Sequence, residues 1–274
     1  MIYAVALALM LADPAPAPSA ILPMAEPSLS EARLALNAGR VDQAEAMTGS
    51  AIASGAKGDL VDRMLADIAF ARGNWQRAGD YYSALLRNAP NDLLLLEQAA
   101  ITALHRGQTA EATALLDRAT QLPGAGWRAW SARGVAADRE GRWAEAAAAY
   151  DRSVALDPLR AEPLNNMGWS LMLQGRWAEA VAKLIAAEAI NPALPHLANN
   201  LELAKAAVAA ALPQRLTGED DQAFAARLND AGVLAEASGD RARARAAFAQ
   251  ALQIRSSWYR LAAQNLARLD QQAP

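Results

Sequence analysis

Small and bulky apolar residues recur along most of this chain at one fixed interval. Glycine stands at 39, 73, 107, 141 and 175, each 34 residues after the last. Seven positions before each glycine is a small residue: Ala32, Ala66, Ala100, Gly134 and Gly168. Five positions after it is alanine: Ala44, Ala78, Ala112, Ala146 and Ala180. Pro90, Gly124, Pro158 and Pro192 close successive units. This pattern predicts two helices per unit, the first ended at the glycine by a C-terminal cap at positive φ. The small residue and the alanine are expected to face each other where the two helices cross. Trp75, Trp143 and Trp177 are expected to pack back over the turn as core residues, with Val41 and Thr109 in the matching positions of weaker copies. Tyr82, Leu116, Tyr150 and Leu184 are expected to fill the interface to the next unit. One such helix pair cannot bury its own apolar face, so the units must stack.

The string Gly-Arg-Trp-Ala-Glu-Ala occurs twice, at 141–146 and 175–180. Residues, spacing and period together resemble the tetratricopeptide-repeat family over 26–192, in units 26–57, 58–90, 91–124, 125–158 and 159–192. The resemblance implies an all-α fold, a right-handed solenoid of antiparallel helix pairs with capping helices. Beyond Pro192 the rhythm slips. Residues 193–212 read as one additional or capping helix. Residues 213–221 read as a linker carrying proline, glycine and acids. The pattern returns over 222–274 with Gly232, Gly239, Ala244 and Phe248, but Gly239 follows Gly175 by 64 residues rather than by 34. This last segment reads as a sixth repeat with a C-terminal capping helix from about 257 to 270. Asn200-Leu201-Glu202-Leu203-Ala204 resembles Asn265-Leu266-Ala267-Arg268-Leu269, so a repeat plus a cap is used twice.

Composition agrees with the helical reading: alanine is abundant and runs of β-branched residues are rare. The chain has no cysteine, which removes disulfides, thiolate catalysis and cysteine-bound zinc. His105 and His196 are far apart, without metal-type neighbours at helical spacing, and read as ordinary helix residues. A formal charge of −3 supplies no basic stripe, so no nucleic acid is expected as a partner. The glycines fall one per unit with structural roles. No phosphate loop, Gly-x-Ser-x-Gly or His-Glu-x-x-His motif is present. The expectation is a protein that is not an enzyme and carries no cofactor and no metal.

The N-terminus differs. Ile2–Ala12 is an unbroken apolar run followed by alternating prolines to Pro18. A bilayer span needs about 20 apolar residues, so this run is too short for one. Residues 1–25 fit a signal peptide and a Pro/Ala-rich segment, with cleavage before Ala20. No Lys or Arg precedes the run. Two readings follow: an exported, periplasmic or secreted protein with no transmembrane helix once the signal is removed, or a cytoplasmic protein with an N-terminal tail.

Family resemblance also supplies the candidate binding face. In tetratricopeptide arrays, positions two, five, nine and twelve of a unit commonly line the concave groove, and position six contributes in some members. Those positions here are Glu162, Asn165, Trp169 and Met172 with Asn166 at position six, then Asn199 and Asn200, Asn229, and in the fourth unit Arg128, Ser131 and Asp138. Asparagine is unfavourable inside a helix, so a doubled Asn-Asn repeated at one 34-residue spacing invites a reason. Its amide offers two donors and one acceptor to a guest backbone. The alternative is that these amides bond within the scaffold. The partner expected is a protein or peptide. Asn165-Asn166-Met167-Gly168-Trp169 and Asn199-Asn200-Leu201 are similar to segments of the accessory proteins of tight-adherence (Flp) pilus assembly. An adaptor of another pathway, membrane-anchored or cytoplasmic, is the competing reading.

Overall fold

A computed structural model describes residues 27–209, 211–254 and 259–271. Among them are fourteen helices and no strand. They form two compact bodies. The first holds α1 (Pro27–Asn37), α2 (Val41–Ala53), α3 (Asp59–Ala71), α4 (Trp75–Asn88), α5 (Leu93–His105), α6 (Thr109–Gln121), α7 (Trp127–Arg139) and α8 (Trp143–Leu156). The second holds α9 (Ala161–Leu173), α10 (Trp177–Ile190), α11 (Leu197–Val208), α12 (Asp221–Ala237), α13 (Arg241–Ile254) and α14 (Arg260–Gln271). The apolar run at 2–12 and the cleavage position before Ala20 lie outside the described residues.

One turn is repeated at every hairpin of 34-residue register. Gly73 has φ +69° and Gly141 φ +71°, and the other mid-unit glycines match them. The residue after each glycine donates back five residues: Asn74 N–H to Ala69 O at 2.8 Å, Arg142 N–H to Ala137 O at 2.9 Å, Arg176 N–H to Leu171 O at 2.9 Å. This closure satisfies carbonyls that the helix end would leave bare, and it needs a left-handed residue that glycine supplies without a Cβ clash. The sequence pattern therefore sets the angle at which each second helix returns.

At the helix crossing a bulky side chain also takes part. The atoms nearest to the small residue belong to the bulky residue of the second helix in its own pair. A Cβ on Gly134 would sit 2.5 Å from the Tyr150 ring, one on Gly168 2.6 Å from Leu184, and one on Gly232 2.5 Å from the Phe248 ring. Tyr150, Leu184 and Phe248 are thus crossing residues within a pair. Ala146 and Ala180 are fully buried near that crossing on the same second helices. Tyr150 also donates to Asp138 at 2.7 Å, and Tyr82 to Asp67 at 2.7 Å, so each buried phenol has a partner inside its own hairpin.

The tryptophans that open second helices are half-buried rather than core. Trp75 stacks in parallel on His105 with centroids 3.8 Å apart and meets Phe70 edge-on at 5.3 Å. Its ring lies 3.6 Å from a Cβ built on Gly73, so it does pack back over its turn. Neighbouring hairpins of the first body are tied by ion pairs about one repeat apart: Arg33 to Asp67, Arg63 to Asp92 at 3.2 Å, Arg128 to Glu97 at 3.1 Å. Arg139 donates to Leu104 O, covering a carbonyl in the last turn of α5.

The second body uses a three-helix arrangement twice. α11 packs on α9 and α10, and α14 packs on α12 and α13. Each single helix is fastened by an amide bridge: Asn200 Nδ2 donates to Asn165 Oδ1 at 2.9 Å, and Asn265 Nδ2 to Asn229 Oδ1 at 2.9 Å. Aligning the helices on those asparagines explains their different roles. Leu203 on α11 is buried, whereas its counterpart on α14 is Arg268, paired with Glu236 at 2.7 Å. The first single helix is therefore apolar on a side where the second is charged. The segment 213–221, read as a linker, is pinned up to Asp220, and Asp221 already opens α12. Arg227, almost fully buried, bonds Glu202 on α11, Glu219 at 2.5 and 3.0 Å, and Gln214 O at 2.7 Å, beneath Phe224. Arg243 reaches the terminal carbonyl Ala207 O of α11, and Arg241 reaches Leu269 O of α14.

Candidate partner-binding faces

The residues singled out by register are mostly buried. In the second body Asn165 is 1% exposed, and Asn166, Trp169 and Asn200 are also buried. Asn199 is half-buried. The structure brings together Asn165 and Asn200, not Asn165 and Asn199. α11 starts after a left-handed His196 (φ 61°), and its register runs one residue longer than 34. That bridge is an internal scaffold contact of the kind weighed against guest binding. Asn229 is likewise internal, accepting from Asn265. Glu162 is half-buried and Met172 fully buried. His196 serves as the N-cap residue of α11 without a side-chain cap bond. Among the described residues no cluster of three His, Asp or Glu is placed to hold a metal ion.

The bridge has a consequence for α9. With Oδ1 of Asn165 engaged by Asn200, its Nδ2 is aimed elsewhere, and that donor has no hydrogen-bond partner among the described residues. One helical turn on, Trp169 Nε1 is a second buried donor without one. Buried donors are paired in the great majority of cases, so two adjacent orphans mark this strip of α9. In the second copy of the arrangement the residue after Asn229 is Asp230. It hydrogen-bonds Asn229, and burial drives its carboxyl up to about 7. The matching position after Asn165 is Asn166.

The first body holds a related set on α5 and α7. Glu97 lies 68 residues before Asn165 and Gln98 68 before Asn166, so they occupy the same register two units earlier. Glu97 is buried, accepts from the Ala129 backbone N–H near the start of α7, and meets Arg128 Nε at 3.1 Å. It acts as the cap that Gly126, the N-cap residue, cannot provide. Burial holds the Glu97 carboxyl above its ordinary value, a rise that Arg128 and the Ala129 N–H only partly offset. Arg128 Nη2 and Gln98 Oε1 are buried and lack partners among the described residues. Ser131 is buried, and Asp138 is taken by Tyr150. Sequence reasoning found Arg128 and missed Glu97 and Gln98. The 34-residue register would have pointed to both.

Comparison with known proteins bears on this geometry. Tetratricopeptide-repeat profiles match residues 29–92 and 127–160. Over those residues the chain carries tetratricopeptide repeats. Solved structures with the same fold include PilW, described as a widely conserved type IV pilus biogenesis factor, at 19% identity and a TM-score of 0.54, covering 88% of this chain and 96% of that one. A tetratricopeptide repeat protein from Parabacteroides merdae aligns at 15% identity and TM-score 0.56, over 89% and 97% of the two chains. The APC/C hetero-tetramer Cut9-Hcn1 aligns at 13% identity and TM-score 0.62, over 88% of this chain and 48% of that one. No curated protein matches by sequence. Among the described residues no helix is long and apolar enough to cross a membrane.

Proposed function

We propose that this protein is a non-catalytic scaffold that holds polypeptide partners against the first helices of its repeats. The observation that carries the reading is the strip of α9 where Asn165 Nδ2 and Trp169 Nε1 are buried donors without partners. An extended guest presents a carbonyl acceptor at every residue, and meeting an orphaned donor recovers the cost of having desolvated it. The Asn165–Asn200 bridge fixes the amide so that its donor is presented without a loss of side-chain freedom on binding. Of the register residues, Asn165 and Trp169 are the contacts, Asn166, Asn199 and Asn200 support or flank them, and Asn229 serves the corresponding bridge to Asn265.

The cellular role that best fits is an assembly factor for an envelope machine such as a tight-adherence pilus, acting in the periplasm after loss of the N-terminal segment. The Asn-Asn segments and the likeness in fold to a type IV pilus biogenesis factor support it. The test has two stages. Affinity capture on the full chain, read by mass spectrometry, supplies a partner, and titration of that partner follows against Trp169→Phe. This change deletes the N–H and keeps most of the ring. Affinity should fall about fivefold or more, while the melting temperature stays level or rises, because a buried orphan has been removed. Unchanged affinity would refute the role of Trp169, and recovery of intact Met1 from the cytoplasm would refute the periplasmic assignment.

A further inference from the structure

The α5–α7 face carries information about the charge of the guest. Glu97 and Arg128 form a buried pair joined through Nε alone, with side chains 8% and 13% exposed. Their formal charges cancel. What remains unmet is one donor, Arg128 Nη2, and one acceptor, Gln98 Oε1. Arg128 and Gln98 are partly exposed as residues, while these two polar atoms are buried, so a side-chain rotation must bring them to a guest.

A guest carboxylate would satisfy the orphaned Nη2. It would also bring a second anion beside Glu97, in a place where little water can screen the repulsion. It would still offer nothing to Gln98 Oε1. A peptide unit does both jobs without charge, since its C=O can accept from Nη2 and its N–H can donate to Oε1. An extended chain supplies such groups alternately at every residue. On α9 the orphaned donors, an amide and an indole, are neutral, and the flanking Glu162 is an acid.

We propose that the α5–α7 face selects an uncharged stretch of extended main chain and rejects acidic groups, with Glu97 as the rejecting residue. This rests on the scaffold reading above and adds a selectivity to it. Glu97 then has a second role besides capping α7: it neutralises Arg128 so that the guanidinium is not an anion trap.

The test uses the full chain and an array of random 12-residue peptides, N-acetylated and C-amidated. Binders from it are remade with a free C-terminal carboxylate or with Gln and Asn replaced by Glu and Asp. The unmodified chain should bind the acidic versions at least about tenfold more weakly. Glu97→Gln retains an acceptor for Ala129 N–H and removes the charge, so it should abolish or reverse that ratio. A measurement on the unmodified protein covers the case in which this variant does not fold. Affinity for the neutral peptides should change less than about twofold between low and high salt, since no ion pair forms on binding. Equal or tighter binding of the acidic versions by the unmodified chain would overturn the proposal. So would a folded Glu97→Gln with the parental ratio. An array with no binder of either charge would instead refute the scaffold reading itself.

Discussion

Gly134→Ala is the sharpest test of how the repeats pack. Alanine in place of glycine in an exposed helix gains about 0.5–1 kcal/mol, because glycine loses more backbone freedom on folding. At position 134 the new Cβ would stand 2.5–2.7 Å from three atoms of the Tyr150 ring, closer than carbon atoms approach. The ring has no free direction in which to yield. Tyr150 is 1% exposed, and its hydroxyl is held at 2.7 Å by Asp138. Overpacking of this kind costs about 1–3 kcal/mol. Loss of the Tyr150–Asp138 bond, if the ring is pushed out, would add about 1 kcal/mol. Set against the backbone gain, the net expectation is about 1–2 kcal/mol of destabilisation, or a few degrees in melting temperature for a chain of this size. The molecule contains its own control. Gly49 lies inside α2, and a Cβ there would meet nothing within 4 Å, so Gly49→Ala should stabilise. Urea melts of both variants beside the parent separate the effects. Tyr150→Leu in the Gly134→Ala background should recover part of the loss, as contacting residues couple. If Gly134→Ala stabilises as much as Gly49→Ala, the crossing geometry is wrong.

Three further outcomes follow from the buried polar groups. Asn200→Ala or Asn165→Ala should cost about 1–3 kcal/mol in the second body, because each leaves a buried amide unpaired, and a thermal melt will read it; an unchanged melt would mean the bridge is not formed. Arg227→Met strands Glu219 without its cation and should destabilise by about 3–5 kcal/mol, with protease cleavage within 209–220 as the local readout. The pH dependence should have opposite signs in the two bodies. Burial, then Arg139, pulls His105 from its ordinary 6.5 down to about 4, so the unfolded chain takes up the proton first and the first body loses stability as pH falls from 6.5 towards 4. Burial raises Asp230 from 3.8 to about 7, so the folded state holds its proton and the second body loses stability as pH rises through that same interval. Hydrogen exchange of each body at pH 4.5 and 7.5 measures both, and His105→Gln and Asp230→Asn should flatten the respective slopes.

The architecture was legible because each 34-residue unit repeats one physical problem. A glycine that must be left-handed, a small residue that must admit a bulky one, and an alanine that must be buried are all defined by backbone geometry, and geometry recurs exactly with the register. The identity of the facing residue was not legible in the same way. Spacing alone fixes that Gly134 is at a crossing, but Ala146 and Tyr150 lie one turn apart on the same helix, and only the crossing angle decides that the ring takes the place over the glycine.

The candidate faces were harder to read for a related reason. Asn165-Asn166 and Asn199-Asn200 are the same dipeptide, and exact periodicity pairs first with first. The bridge instead spans 35 residues, as the Arg139–Leu104 contact of the first body also does, and so it is the second asparagine that reaches back. Two roles are then divided within one amide: the oxygen of Asn165 belongs to the scaffold and the nitrogen is left over. A sequence cannot show such a division, because it depends on which atom of a side chain is already spent. Glu97 and Gln98 were missed because Glu97 meets Arg128 at a spacing of 31 residues, which a strict 34-residue register does not pair. The function of Glu97 changes only when both members of that pair are found to be buried and their charges closed on each other. What distinguishes a binding residue from a packing residue in this protein is therefore not its position in the repeat but the hydrogen-bonding capacity that remains after the neighbouring repeat has been joined.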